Sequence, residues 1–258
     1  MTNPGRVVSV ANRGPLATVL LDHAAKRNAL SSNVQDGLIS AFDQIAADSS
    51  VAVVVLTGAG DTFCSGGDLV EIQAHDTADS AREMATRIRS VLDRVRQCPA
   101  PVVAGLNGDA IGGGAELALA CDFRVAAHGA HMVFAQASQA VSPGWGGGVD
   151  LIERVGTSRA QRLLGTTARV SGDEARRLGL FDAVAAPDES IDDVVAAFVE
   201  PFLRRPAHVL RANKALAIAS RSDDRRERLE AVELEQFVST WMHADHWAAL
   251  DAFVNRRR

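Results

Sequence analysis

The chain reads as a mainly α/β domain with a helical tail, on three observations. Apolar runs rich in β-branched residues, such as 51–57 and 101–106, do not alternate with polar residues, as expected for buried parallel strands. Glycine-rich turns follow strands and precede helices. From residue 191 onward the periodicity is helical throughout.

In chain order, residues 6–10 and 16–22 predict two strands across the turn Asn12-Arg13-Gly14-Pro15. A loop, Lys26-Arg27-Asn28-Ala29-Leu30, follows. Ser31 or Ser32 is placed to cap a helix whose Val34, Leu38, Ala41, Phe42 and Ile45 share one face. Residues 51–57 predict a buried strand ended by Gly58-Ala59-Gly60-Asp61. A phosphate cradle would need a third glycine where Phe63 stands, so a tight turn is expected instead. Thr62-Phe63-Cys64-Ser65-Gly66-Gly67-Asp68-Leu69 is a second glycine-rich turn, with Asp68 capping a helix or lying on a surface loop. Residues 79–97 predict an amphipathic helix carrying Met84, Ile88, Val91, Leu92 and Val95, stopped by Cys98-Pro99-Ala100-Pro101.

The central stretch runs Ile111-Gly112-Gly113-Gly114-Ala115-Glu116-Leu117-Ala118-Leu119-Ala120-Cys121-Asp122. It predicts a strand over 101–106, a glycine turn, and a helix over 115–120. A helix start offers unpaired N–H groups and a positive dipole end, which suit developing negative charge. Glu116 sits in that first turn, either as a favourable charge or as part of an oxyanion site. Short strands are expected over 122–127, 132–134 and 182–185. Pro143-Gly144-Trp145-Gly146-Gly147-Gly148 is a third glycine turn, before a helix over 149–155. Ser171-Gly172-Asp173-Glu174 predicts a capping box opening a helix over 175–178. Ser222 or Asp223 is placed to cap a helix over 225–241. There Leu229, Val232, Leu234, Phe237, Val238 and Trp241 make a broad apolar face that needs a partner surface. No internal repeat is visible.

With 258 residues, 47% apolar and 23% charged, the composition is that of a soluble globular protein. A net charge of −5 argues against a nucleic-acid partner. Cys64, Cys98 and Cys121 have no paired spacing, which fits reduced thiols in the cytoplasm and offers no zinc framework. Neither a signal-peptide core nor a membrane-length apolar run occurs, so a cytoplasmic protein without a membrane partner is expected. There is no Tyr, hence no phenol chemistry. Ser65 sits in a glycine turn, but His128 and His131 have no triad setting, so nucleophilic hydrolysis is disfavoured. His243 and His246 read as surface residues rather than metal ligands, and Arg256-Arg257-Arg258 as a solvated tail.

Taken together and in order, these motifs resemble the crotonase superfamily, the enoyl-CoA hydratase/isomerase family. The resemblance covers roughly residues 6–220. It is carried by Lys26-Arg27-Asn28-Ala29-Leu30, Phe63-Cys64-Ser65-Gly66-Gly67-Asp68-Leu69, Gly112-Gly113-Gly114-Ala115-Glu116-Leu117, Cys121-Asp122 and Pro143-Gly144-Trp145-Gly146-Gly147. It implies a spiral of ββα turns over residues 1–200 and a C-terminal helical region over 201–258 that assembles homotrimers or dimers of trimers. It also implies a coenzyme A thioester as substrate, with no separate cofactor and no metal. By motif position, the backbone N–H groups of Gly67 and Gly113 are the oxyanion hole and Glu116 is a catalytic carboxyl. Lys26, Arg27, Ala29, Ser65, Gly66, Asp68, Leu69, Gly112, Gln136, Pro143, Gly144 and Trp145 are expected to line the substrate.

One departure is informative. The second glutamate of the hydratases lies seven residues before the Pro-Gly turn, and here that position is Gln136. No Asp or Glu occurs between Asp122 and Asp150, and the segment 134–142 is shorter than in hydratases. Hydration needs one group to activate water and another to deliver a proton. Loss of CO₂ from a malonyl-type thioester yields the same enolate without a base. The resemblance therefore implies a lyase: a decarboxylase of a substituted malonyl-CoA or an inefficient enoyl-CoA hydratase. An enoyl-CoA isomerase and a non-catalytic acyl-CoA-binding accessory subunit are the alternatives.

Overall fold

The computed structural model describes residues 7–221 and 224–255. Its strands are β1 (Val8–Arg13), β2 (Leu16–Leu21), β3 (Val53–Gly58), β4 (Thr62–Cys64), β5 (Val102–Leu106), β6 (Asp109–Ile111), β7 (Phe123–Ala126), β8 (His131–Val133), β9 (Arg169–Ser171) and β10 (Ala183–Val184). The helices of the first half are α1 (Ser32–Ala47), α2 (Leu69–Ile72), α3 (Ala78–Arg96) and α4 (Gly113–Ala120). Those of the second are α5 (Gly147–Val155), α6 (Thr157–Thr166), α7 (Gly172–Arg177), α8 (Ile191–Leu203), α9 (Ala207–Ser220), α10 (Asp224–Trp241) and α11 (Ala244–Asn255).

The strands form two sheets. One is six-stranded in the order β1-β2-β3-β5-β7-β10, and the other four-stranded in the order β4-β6-β8-β9. The hairpin β1–β2 is antiparallel, whereas β2 through β10 of the large sheet pair in parallel. The pairs β3–β4, β5–β6 and β7–β8 each place their first strand in the large sheet and their second in the small one. This is a spiral of repeated turns, and it leaves no sequence repeat because only the path recurs.

The unbroken apolar run of β3 follows from burial on both faces. Val54 and Leu56 enter the main core with α1 and α3, while Val53 and Val55 join Val103, Val125, Val195 and Val199 under α8. There Phe123, Phe198 and Phe202 interlock with ring centroids 5.5–6.1 Å apart.

Several expectations are corrected. Helix α4 begins at Gly113, two residues before 115, because Gly112 (φ 54°) makes the reversal and leaves Gly113 and Gly114 free to turn helically. Ser171 makes no side-chain cap; Glu174 instead pairs with Arg162 at 3.2 Å. Ser31 stands at the start of α1 without a side-chain cap, and Ser32 donates its N–H and hydroxyl to Glu71 at 2.8 Å. Val232 is exposed, since the inward stripe of α10 runs through Arg226, Phe237 and Trp241. His246 is buried, with Nδ1 2.6 Å from the Gln139 carbonyl, rather than a surface residue. Arg6, Ser222, Asp223 and Arg256-Arg257-Arg258 lie outside the described residues.

The surface that covers the apolar tail helix is the chain itself. Phe237, Val238 and Trp241 join the main core against α3 and α5, and Trp241 Nε1 donates to the His75 carbonyl at 2.7 Å. Upstream, α9 is tied to the core by a buried ion pair. Lys214 Nζ lies 2.6 and 2.5 Å from the two Asp122 oxygens, and Asp122 Oδ2 accepts the Val102 N–H at 2.8 Å. Lys214→Ala leaves that carboxylate with Arg221 at 3.4 Å and the Val102 N–H, and should lower unfolding free energy by about 3 kcal/mol, read by urea titration.

Candidate functional site

The site is built where two glycine turns meet. After β4 the chain turns through Ser65-Gly66-Gly67, with Gly66 at φ 95°. A β-carbon on Gly66 would lie 3.0 Å from the Ile111 carbonyl and 3.1 Å from the Gly113 nitrogen, so the turns touch backbone to backbone. Gly113 is the first residue of α4, and its N–H has no carbonyl one turn back. Neither the Gly67 nor the Gly113 N–H donates to a protein acceptor among the described residues. The Trp145 indole lies against both glycines. A β-carbon on Gly113 would overlap its six-membered ring, and one on Gly67 would come to 3.3 Å of Cη2.

Glu116 is carried by α4 one turn from Gly113 and is buried. Its Oε1 accepts Gln136 Nε2 at 2.9 Å, and its Oε2 accepts the N–H groups of Trp145 at 3.1 Å and Gly147 at 2.9 Å. Burial pushes its pKa up to about 8, aided by the negative charge of Glu233; the three donors pull the other way and do not prevail. The folded chain therefore favours the neutral form of Glu116. Among the described residues Gln136 Oε1 and Trp145 Nε1 are buried without a hydrogen-bond partner.

Glu233 is the residue that sequence reasoning missed. It reaches in from α10 and accepts the N–H groups of Gly146 at 2.5 Å, Gly148 at 2.7 Å and Val149 at 3.2 Å. The available signal was its place four residues before Phe237 and after Leu229, on a face otherwise read as apolar.

The expected substrate-lining loops also converge. Ser65 N donates to the Arg27 carbonyl at 3.0 Å and Leu30 N to the Gly66 carbonyl at 2.7 Å, so residues 26–30 run beside 65–67. Lys26 Nζ pairs with Asp68 Oδ2 at 2.6 Å, and Asp68 caps α2 by accepting the Val70 N–H at 3.0 Å. Burial pushes the Asp68 carboxyl up, yet its bonds to Lys26 and Val70 outweigh this and hold it below the usual carboxylate range. Ala29 is buried and Leu69 half-buried at the start of α2. Gly112 supplies the turn into α4; Pro143 is half-buried, and Gly144 faces the Phe237 ring. A cavity of about 400 Å³ opens at Gly67, walled by Leu30, Ile72, His75, Met84 and Ile88. A second, of about 370 Å³, takes Arg27, Asn107 and His128.

Other chemistry is poorly served. The Ser65 hydroxyl donates to the Lys26 carbonyl at 3.4 Å. Burial pushes Cys64 and Cys121 up to about 12, far from thiolate nucleophiles. Among the described residues no three His, Cys, Asp or Glu side chains converge as a metal site, and no helix is long and apolar enough to cross a membrane.

Comparison with known proteins identifies relatives along most of the chain. The family model described as enoyl-CoA hydratase/isomerase matches residues 12–258. The chain is 29% identical over 252 residues to the short-chain-enoyl-CoA hydratase of Clostridium acetobutylicum, covering 97% of this chain and 95% of that one. It is 30% identical over 227 residues to the ethylmalonyl-CoA decarboxylase of Xenopus laevis, covering 88% and 76%. A Thermobifida fusca protein crystallised with acetoacetyl-CoA superposes with a TM-score of 0.76 at 28% identity, covering 89% and 94%.

The raised pKa of Glu116 means that the folded chain favours its neutral form, so its stabilising contribution is complete below about pH 4.5. That contribution falls as pH climbs and is spent once pH passes about 8. The melting temperature of the wild type relative to Glu116→Gln should accordingly decline from pH 5 to pH 8, as followed by calorimetry.

Proposed function

The chain belongs to the enoyl-CoA hydratase/isomerase family, and within its acyl-CoA chemistry we propose that it decarboxylates a substituted malonyl-CoA. The observation that carries this reading is the partner of Glu116: an amide, Gln136, at 2.9 Å, where a hydratase needs a second carboxylate.

The thioester oxygen takes the two free N–H groups of Gly67 and Gly113. The bond between the α-carbon and the carboxylate breaks, its electron pair moves onto the thioester as an enolate, and CO₂ leaves. The α-carbon then takes the proton of Glu116, whose carboxylate recovers one from water. A neutral Glu116 suits both ends of this sequence, because it holds a proton to give and does not repel the substrate's own carboxylate. Two aimed N–H donors stabilise the enolate oxygen, and each such donor is worth about 2.7–4 kcal/mol.

Coenzyme A would lie along residues 26–29 and 65–69, where Lys26 and Arg27 supply positive charge. The acyl group would enter the cavity beside Gly67, with Trp145 as one wall. The ethylmalonyl-CoA decarboxylase relative supports the reaction and the Thermobifida fusca complex supports the thioester. The second reading, enoyl-CoA hydration by Glu116 with Gln136 holding the water, is supported by the hydratase relative. Exposed Leu216 and Val232 on the C-terminal helices, and Met242 in the turn between α10 and α11, support assembly into a homotrimer or a dimer of trimers.

Methylmalonyl- and ethylmalonyl-CoA should release CO₂ faster than crotonyl-CoA loses its conjugated absorbance; the reverse order would favour hydration. Saturable thioester binding without any turnover would indicate an accessory subunit. Glu116→Gln should retain binding and lose about 10²–10⁴-fold in kcat. Gly113→Pro, with unchanged circular dichroism, should lose at least about 10²-fold more with every thioester than Gly113→Ala, which brings the same β-carbon against Trp145 but keeps the N–H.

A further inference from the structure

The turn 145–149 is shared by two buried carboxylates on alternate backbone donors. Trp145 and Gly147 give their N–H groups to Glu116, while Gly146, Gly148 and Val149 give theirs to Glu233. Glu116 comes from α4 and Glu233 from α10, so one strip of main chain lies between them. The carbonyls of the strip are held as well: Arg89 donates to that of Gly144 and Arg96 to that of Trp145, both at 3.2 Å.

We propose that Glu233, delivered by the C-terminal helix, is a positioning residue that fixes where the Glu116 carboxyl points and sets a like charge behind it. The inference rests on Glu116 being the proton donor of the site.

Gly146, at φ 87°, is left-handed, and Gly147 has no room for a β-carbon beside the Glu116 side chain. Such a turn is held by its partners rather than by propensity. Without Glu233, three main-chain donors lose their acceptor in a buried place. The strip would move to find others, taking with it the two N–H groups that orient Glu116.

From α3, Arg89 reaches Glu233 at 3.4 Å, and Arg96 faces it while engaged with Asp150 at 2.8 Å and Asp93 at 2.6 Å. From α5, Asp150 faces the group, and on α10 itself Arg226 links Asp150, Glu153 and Glu230. Burial raises the Glu233 carboxyl as well, while Arg89, the Gly146 N–H and Arg96 draw it back towards the charged form; the one carboxyl across the strip is Glu116, and a charged Glu233 disfavours its ionisation.

The test is a carboxyl titration that needs no substrate. In full-length protein labelled with carbon-13 at the glutamate carboxyls, the Glu116 signal is assigned by its loss in Glu116→Gln. In Glu233→Gln the Glu116 midpoint should fall by about one pH unit or more. In the same variant, kcat for the thioester should drop about tenfold or more with little change in KM. Glu233→Asp, which keeps the charge, should bring the midpoint back towards the wild type, and it carries the test alone if Glu233→Gln does not fold. In that case a midpoint closer to wild type than to the ordinary glutamate value supports the proposal, and collapse to the ordinary value overturns it. An unshifted midpoint in folded Glu233→Gln, with only thermal stability lowered, would also overturn it. A shifted midpoint in a protein that releases no CO₂ from any malonyl thioester would uphold the positioning role and overturn the decarboxylase reading alone.

Discussion

The site depends on one constraint: the main chain at 145–149 cannot satisfy its own donors. Its N–H groups point by turns to opposite sides, and each side is closed by a buried carboxylate, Glu116 or Glu233. An unpaired buried N–H is costly, so the strip ties the two acids and the helices bearing them together. The glycines follow from this crowding. At Gly147 the space of a side chain is filled by Glu116, and at Gly113 by Trp145. The turn, the glycine at 113 and the acid are thus fixed by mutual exclusion of volume as much as by hydrogen bonding.

The electrostatic outcome follows from the same burial. A carboxyl removed from water and facing a second one retains its proton well above the usual range, even with three donors upon it. In a site of this family, that favours giving a proton over taking one. Gln136 then completes the arrangement, since its amide bonds the acid without competing for the proton.

Much of this was legible in the sequence. Long apolar strands declared themselves because burial on both faces removes the polar alternation of β3 and β5. Glu116 and the three glycine turns declared themselves because close backbone approach tolerates few residue types. Gln136 was found by counting back from Pro143. The small sheet was legible only in part, since its strands are three residues each and carry no period. Glu233 was hidden for a physical reason. A charged residue on a helix is read as solvated, and its partners lie 84–87 residues away, across a contact that no local pattern encodes. His246 was misread on the same logic, its ring being buried against Trp241 and Trp247.

The indole lodged between Gly67 and Gly113 has an evolutionary consequence. On that side the chamber is bounded by main chain and by a ring that neither glycine can yield to, so its dimensions are frozen. Room for a different acyl group can be found only where side chains line the cavity, at Ile72 of a four-residue helix, which itself abuts Gly67, and at Met84 and Ile88 of α3. Changes of substrate among close relatives should therefore accumulate in those two helices, leaving the glycine face unaltered.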